Sequence, residues 1–236
     1  MLHGNRTLVG NGEVRDVYVV EYGGETVVLR LLREQQDLKK KLVSLKRHRT
    51  EVIALDAVRG HPNIAGMLGT CDTTVVSRFY PTPLAGVMWA HRPEPLSARK
   101  VVSMALDAAR GLQALHEASI APIVQFDMKP HQLLVAEDGR VMLNDFNAAQ
   151  FMGTHPSGAP CPMQRSAARV TLWQAPEHIA GKLLTEKGDV YSLGMIFFSL
   201  MSGKIPFPRT ESGKQMILRG ERPAIHPSWH SGYMQV

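Results

Sequence analysis

Two aspartates, Asp127 and Asp145, lie 18 positions apart on either side of an Asp-Gly turn in the stretch QFDMKPHQLLVAEDGRVMLNDFN. The apolar runs QLLV and RVML flank that turn and predict two short paired strands, because a tight primed turn needs positive φ angles that Asp and Gly tolerate. Such a hairpin would bring both carboxylates to one end of a small sheet. With Lys129 between them in sequence, the acids suit a site for a metal ion and a phosphate. The alternative is that they only cap turns.

The composition indicates a soluble globular protein. The chain has 236 residues, of which 44% are hydrophobic and 20% charged, enough for one large domain or two lobes sharing a cleft. The net charge of +6 favours acidic partners or nucleotides, and we infer no nucleic-acid partner from it. Cys71 and Cys161 cannot build a disulfide framework, no signal peptide is visible, and the longest apolar run is too short for a bilayer. We therefore expect a cytoplasmic protein without a membrane span.

The first part of the chain predicts a sheet and one helix. Residues 7–32 alternate β-rich pieces with glycines and predict three antiparallel strands. Between Arg33 and Arg59 a set of apolar residues at spacings near 3 and 4 predicts a helix. One more strand follows, and a break with Pro and Gly near residue 81 predicts a boundary between lobes. The apolar stripe of the predicted helix consists of Leu38, Leu42, Leu45, Val52 and Leu55.

The remainder of the chain predicts mostly helices. A long amphipathic helix starts after Ser97, a plausible N-cap, and the hairpin follows it. Residues 152–169, rich in Pro, Gly, Ser and His, show no periodicity and predict a loop. A buried helix near Asp189 and a last helical piece at GKQMILRG complete the pattern.

The order of these motifs resembles the protein kinase family over nearly the whole chain. VGNGEVRDV resembles the glycine loop G-x-G-x-x-G-x-V, VVLR stands where V-A-I-K is expected, and QFDMKPHQ resembles H-R-D-x-K-P-x-N. DFN resembles D-F-G, and APE is intact. The resemblance implies an α+β, bilobal fold, with a β-rich N-lobe over residues 1–80 and a mostly helical C-lobe over residues 81–236. The family's final helices have no counterpart here, so we expect a fragment or a truncated product.

The resemblance also implies roles for single residues, with ATP and Mg²⁺ as cofactors and a protein substrate or scaffold partner. Asp127 would orient the substrate hydroxyl and Lys129 would steady the transferred phosphate. Asp145 would bind Mg²⁺, with Gln132 as second ligand in place of an asparagine. The nucleotide-binding positions would be Gly10, Gly12, Val17, Val28, Arg30, Glu51, Ser77, Phe79 and Leu134.

Several positions depart from the family pattern. Arg30 replaces the lysine that pairs with Glu51, and its planar fork either pairs bidentately with Glu51 or extends into the phosphate pocket. Gln132 is one methylene longer than asparagine, and Mg²⁺ tolerates little departure from about 2.0–2.1 Å. Arg15 replaces the third loop glycine, and we expect it to point outward. Phe126 replaces an arginine that would otherwise bind a phosphate on the loop after Met152.

Three functions remain open on this pattern. The leading interpretation is a serine/threonine-type kinase-like domain that binds ATP but transfers phosphate weakly or not at all. The first alternative is an active kinase in which Asp127, Lys129 and Asp145 suffice. The second is a nucleotide-free scaffold module, since one fold hosts both working and silent sites.

Overall fold

The N-terminal lobe is a five-stranded antiparallel sheet with one helix. The computed structural model describes residues 6–11, 15–90, 96–159, 161–163 and 171–225. The strands are β1 Thr7–Asn11, β2 Arg15–Tyr22, β3 Glu25–Leu32, β4 Met67–Cys71 and β5 Thr74–Arg78, in the spatial order β1-β2-β3-β5-β4. Helix α1, Leu38–Ala57, connects β3 to β4. The prediction of three antiparallel strands over residues 7–32 is confirmed.

The buried face of α1 is partly polar. Leu38 and Leu42 are 68% and 58% exposed, so the apolar stripe does not define the buried face of the helix's first half. The middle of the helix instead buries Ser44, His48 and Glu51. The reason is that the space opposite the middle of α1 contains arginine side chains from the sheet, which demand polar partners rather than leucines.

The C-terminal lobe is mostly helical. The elements are β6 Thr82–Pro83, α2 Leu84–Trp89, α3 Ala98–His116, β7 Ile123–Val124, β8 Leu133–Val135, β9 Val141–Leu143, β10 Gln150–Phe151, α4 Pro176–Ile179, α5 Lys187–Ser202 and α6 Glu211–Leu218. The sheets are small: β6, β8 and β9 form one, and β7 and β10 form another. Ser97 caps α3 by accepting a hydrogen bond from the Lys100 backbone N–H at 3.4 Å, as predicted.

The predicted hairpin forms as β8 and β9, but its turn is of another kind. Val135 pairs with Val141, and the Ala136 N–H donates to the Arg140 carbonyl at 2.9 Å, which leaves three residues in the loop. Within this fully described turn only Gly139 has a positive φ, of 86°. The prediction of a two-residue primed turn, which needs two such residues, was therefore wrong, whereas the three-residue loop needs only one.

The main core lies where α3, α5 and β9 meet. It joins residues such as Met104, Ile196 and Phe146, all nearly inaccessible to solvent. Helix α3 approaches the loop between α1 and β4 so closely at Gly111 that an added Cβ would lie 2.5 Å from the Asn63 carbonyl oxygen. Among the described residues no helix combines the length and the apolar character required to cross a bilayer.

Candidate active site

A cleft of about 1270 Å³ lies between the sheet and the helical lobe. Residues from both lobes line it, including almost all those singled out from the sequence. Glu51 lies behind the lining, fully buried, and Gly12 lies outside the described residues. The sequence-predicted residues that line the cleft are Gly10, Val17, Val28, Arg30, Ser77, Phe79, Asp127, Lys129, Gln132, Leu134 and Asp145.

Gln125 fixes the two segments that carry the aspartates. Its side-chain oxygen accepts the Asp127 backbone N–H at 2.8 Å, and its Nε2 donates to the Asp145 carbonyl oxygen at 2.9 Å. The Gln125 residue is 0% exposed, whereas Asp127 and Asp145 are half-buried, so the bonds lie at the inner edge of the cleft. One amide therefore sets the spacing between Asp127 and Asp145, and sequence analysis did not assign it this role.

Asp189, at the start of α5, anchors the same loop from the other side. Its carboxylate accepts the backbone N–H groups of Gln125 at 2.7 Å and Phe126 at 2.9 Å, and it lies 3.2 Å from His116 Nε2. Phe126 has a φ of 61°, a left-handed conformation that costs an aromatic residue on the order of 1–3 kcal/mol. The two charge-assisted bonds from a buried carboxylate offset that strain.

The two carboxylates are joined by Gln132. Its Nε2 donates to Asp127 Oδ2 at 2.8 Å and to Asp145 Oδ2 at 2.9 Å. Asp127 Oδ2 also accepts from Lys129 Nζ at 2.6 Å, which places these two catalytic candidates in direct contact. It is thus the amide nitrogen of Gln132, rather than the oxygen expected of a metal ligand, that faces the acids.

Asp145 is an unfavourable place for a negative charge. Burial raises the pKa of its carboxyl above the ordinary value, the charge of Glu51 raises it further, and Arg30 opposes both. Its φ of 61° is also left-handed, whereas Asn147, which stands at the glycine position of D-F-G, does not have a positive φ. A cation beside Asp145 would relieve its electrostatic strain.

The donor groups suit Mg²⁺ that is also bound by waters and phosphate oxygens, rather than a metal ion bound by protein ligands alone. Among the described residues, no group of three or more His, Cys, Asp or Glu side chains is arranged to hold a metal ion. Mg²⁺ is commonly held by one or two carboxylates, with waters and phosphate oxygens completing its octahedron. Asp145 could supply one carboxylate oxygen, and the Gln132 amide oxygen could supply a second ligand after a rotation of the amide.

Glu51 lies between two arginines. Arg30 Nη1 is 3.0 Å from Glu51 Oε1, an ion pair without the alignment of a hydrogen bond, so the bidentate alternative is not observed. Arg15 Nη2 donates to Glu51 Oε2 at 2.5 Å. Arg15 is only 6% exposed, so the expectation that it points outward was wrong. The side chain turns inward because the buried Glu51 carboxylate offers a charged partner that solvent at the loop tip does not match.

His48 completes this buried group. Its Nδ1 lies 3.0 Å from Arg15 Nη2 and its Nε2 lies 3.1 Å from the Asp72 carbonyl oxygen. Burial lowers the pKa of His48, and the charge of Arg15 lowers it further. The roles of His48, Arg15 and Gln125 were not predicted from the sequence. Each is a polar residue at a position where helix periodicity or a strand end predicts burial, and that mismatch was the available signal.

Phe126 stands in an apolar environment. With Val124, Met152 and Leu184 it forms a small buried cluster, and its ring lies edge-on to His178 with centroids 5.9 Å apart. The arginine that the resemblance implied as a phosphate partner is thus replaced by a side chain that contributes apolar packing to the loop after β10.

An antiparallel sheet with one helix, a helical lobe, and two aspartates in the cleft between them define a bilobal kinase-like domain. A family model of the protein kinase domain matches residues 4–229. Calcium/calmodulin-regulated receptor-like kinase 1 of Arabidopsis thaliana is 28% identical over 209 residues, covering 85% of this chain and 44% of that protein. The chain belongs to the protein kinase family.

Two further relatives show the range of kinases it resembles. Dual specificity protein kinase shkD of Dictyostelium discoideum is 32% identical over 205 residues, covering 84% of this chain and 26% of that protein. Serine/threonine-protein kinase PBL13 of Arabidopsis thaliana is 31% identical over 195 residues, covering 78% of this chain and 38% of that protein. The chain therefore spans less than half the length of these curated relatives.

Proposed function

We propose that this domain binds ATP with Mg²⁺ in the cleft and transfers phosphate to protein serine or threonine hydroxyls weakly or not at all. The observation that carries the proposal is the state of Arg30. It lines the cleft, yet its Nε and Nη2 are buried and lack a hydrogen-bond partner within the described part of the chain. A buried donor without a partner costs about 1–3 kcal/mol, and phosphate oxygens would satisfy both groups once the guanidinium turns toward the cleft.

The adenine side of the cleft supports nucleotide binding. Val17 and Val28 from the sheet and Leu134 from β8 line it, and Ser77 to Tyr80 form the link between the lobes beside them. A flat aromatic ring fits between such apolar walls, while backbone groups of the link offer hydrogen bonds.

Two departures from the family pattern, Arg30 and Gln132, support weak phosphate transfer. The guanidinium of Arg30 is longer and wider than an ammonium, so it would hold the phosphates in a different place. Gln132 currently uses its nitrogen to join both carboxylates, and turning its oxygen to a metal would break both bonds. A displacement of about 1 Å at the reacting atoms can reduce a rate by about a hundredfold.

An active kinase is the second candidate, and two observations favour it. Lys129 and Asp127 are in contact at 2.6 Å, and Gln125 holds both aspartate segments in place.

We also propose a cytosolic location, with which the exposed free thiols of Cys71 and Cys161 agree. A nucleotide-free scaffold is the third candidate.

Thermal unfolding with ATP separates these candidates from the scaffold. We expect ATP with Mg²⁺ to raise the melting temperature, and the shift to shrink when Mg²⁺ is chelated or in Asp145→Asn. The control is Asp138→Asn, which removes an exposed aspartate in the β8–β9 turn and leaves the shift intact. The absence of any shift with wild-type protein would overturn nucleotide binding.

Transfer of labelled γ-phosphate separates the two kinase candidates. We expect a low rate that Asp127→Asn abolishes and Arg30→Lys raises by more than about tenfold, because the ammonium restores the compact charge. Brisk incorporation by the wild-type protein, with no gain in Arg30→Lys, would establish the active kinase instead.

A further inference from the structure

We propose that Arg15 is the positioning residue that holds Glu51, and with it helix α1, against the sheet, so that the Arg30 guanidinium can turn from Glu51 to an inner phosphate of the nucleotide. The first half concerns the protein without ligand. The second half rests on the proposed nucleotide binding.

The two arginines do not share Glu51 equally. Arg15 makes a hydrogen-bonded ion pair with Oε2 at 2.5 Å, whereas the contact of Arg30 with Oε1 lacks hydrogen-bond alignment, and Oε1 has no hydrogen-bond partner among the described residues. Glu51 is 0% exposed, so water does not compensate for either bond. Charge-assisted hydrogen bonds to a buried carboxylate are the strong ones, and Arg15 therefore supplies most of the attachment.

Arg15 is itself held on three sides. Its Nη1 donates to the Arg30 backbone oxygen at 3.1 Å, which ties it to β3, while Nη2 reaches both Glu51 and His48 in α1. One guanidinium therefore connects β2, β3 and α1. An exposed arginine pair contributes little, but this one is desolvated and has several bonds.

The neighbours of His48 determine which of its ring nitrogens carries the proton. The Arg15 guanidinium is only a donor, so Nδ1 must accept; the Asp72 carbonyl oxygen is only an acceptor, so Nε2 must carry the hydrogen. His48 in its neutral Nε2–H form thus extends the network from Arg15 to the β4–β5 turn. Asp72 in that turn has a φ of 50°, a strained conformation that this bond helps to hold.

Arg30 is placed differently. It is 7% exposed and lines the cleft, and two of its nitrogens have no partner in the described part of the chain. Because Arg15 already neutralises Glu51, the charge of Arg30 is available to an anion entering the cleft. Arg15 therefore attaches helix α1, and Arg30 is placed to bind the ligand.

The first experiment measures hydrogen exchange of the α1 amides in residues 44–55 without nucleotide. Arg15→Met is expected to speed this exchange about tenfold or more, whereas Arg30→Met leaves it within about twofold of wild type. The control is Arg59→Met, which removes an exposed arginine whose partner is Asp56. Equal acceleration in Arg15→Met and Arg30→Met, or acceleration in Arg30→Met alone, would overturn the assignment.

A lysine pair covers the case in which Arg15→Met does not fold. Arg15→Lys keeps one donor for Glu51 but cannot also reach His48 and the Arg30 carbonyl, so α1 exchange should be faster than in Arg30→Lys. The reverse order counts against Arg15 as the positioning residue.

The second experiment compares binding of ATP with Mg²⁺ to binding of adenosine, which lacks phosphates. Arg30→Met is expected to lower ATP affinity about tenfold while adenosine affinity stays within about twofold. Arg15→Met is expected to lower ATP affinity less. A larger loss of ATP affinity in Arg15→Met, with α1 exchange unchanged, would make Arg15 the phosphate ligand and refute the proposal.

The two experiments fail separately. If wild-type protein binds neither ATP nor adenosine, the proposed function and the role of Arg30 are both wrong. The exchange comparison still decides whether Arg15 holds α1, because it uses no nucleotide.

Discussion

The amide of Gln125 performs two tasks that a purely donating or accepting group could not combine. Its oxygen accepts from the Asp127 backbone and its nitrogen donates to the Asp145 and Asn144 carbonyl oxygens. Both aspartate segments are therefore fixed by one side chain that is never in contact with solvent. At the scale of single residues, the cleft depends on such partners as much as on its charged groups.

Replacing Gln125 by alanine tests this dependence. The change removes the partner of one backbone N–H and two carbonyl groups of half-buried residues, and we expect the free energy of unfolding to fall by about 2–4 kcal/mol. Urea unfolding at neutral pH measures it. Gln113→Ala, in which an exposed amide loses only its bonds to Glu117, is the matched control and should change stability by less than about 0.5 kcal/mol. Equal effects in both variants would contradict the role of Gln125.

The raised pKa of Asp145 predicts that its charged carboxylate destabilises the ligand-free protein. Above that raised folded-state pKa, the native state holds a buried charge that the unfolded chain holds in water. Asp145→Asn should therefore increase the melting temperature near neutral pH, by roughly 2–4 °C for each kcal/mol gained.

The pH dependence gives this prediction its sign. As pH falls through the raised folded-state pKa, wild-type Asp145 takes up a proton, and below the unfolded-state pKa the advantage of Asp145→Asn has disappeared. Scanning calorimetry across this pH range measures the difference. Asp138→Asn, at an exposed carboxyl whose pKa is lowered by hydrogen bonds from Arg140, should give no such gain. A gain from Asp145→Asn that grows toward acid pH would contradict the explanation.

At the scale of elements, close packing between α3 and the β9 region positions the base of the cleft. An alanine at Gly111 would place its Cβ 2.6 Å from Leu143 Cδ1 and even closer to the Asn63 carbonyl. Gly194 in α5 also lies in a helix, but nothing lies within 4 Å of its added Cβ.

These two glycines give a paired prediction. Gly111→Ala should destabilise the protein by about 1–3 kcal/mol because packed backbone must move, although alanine favours helix. Gly194→Ala should stabilise it by about 0.5–1 kcal/mol through the lower entropy of the unfolded chain. Chemical denaturation of both variants measures the difference, and a shared sign would show that the close approach at Gly111 is not rigid.

Helix α1 shows how an element can be predicted while its buried face is not. The apolar spacing correctly indicated a helix, and the exposed lysines and arginines between Lys39 and Arg49 lie on its solvated face. The spacing did not show which face is buried, because His48 and Glu51 meet arginines from the sheet there. Periodicity assumes an apolar interior, and here the interior is a buried charge network.

At the scale of the whole molecule, the cleft takes its lining from both lobes. Val17 and Val28 belong to the N-terminal sheet, whereas Leu134 and Asp145 belong to the C-terminal lobe. A ligand that contacts both sides stabilises both, since it binds only the folded arrangement.

Hydrogen exchange with ligand tests this coupling. ATP with Mg²⁺ should slow exchange of amides in β2–β3 and in β8–β9 at the same time, whereas Mg²⁺ alone should slow neither strongly. The control is α6, which lines no part of the cleft and should exchange at an unchanged rate. Protection confined to one lobe would indicate a ligand that does not bridge the cleft.

The sequence by itself determined the family, the α+β order of elements and the identities of the chemical groups, because Asp127, Lys129 and Asp145 occupy motifs that are local in the chain. The prediction of both hairpin strands succeeded for the same reason, although the turn type failed.

The tertiary structure decided which side chains become partners. Arg15 and Glu51 are 36 positions apart, and Gln125 reaches a carbonyl 20 positions away. No local pattern encodes such pairs, since a buried carboxylate pairs with the cation that the packed strands bring close to it. The pairing of Glu51 with Arg15 places Arg15 inside the lobe and leaves two donors of Arg30 without a partner in the described part of the chain.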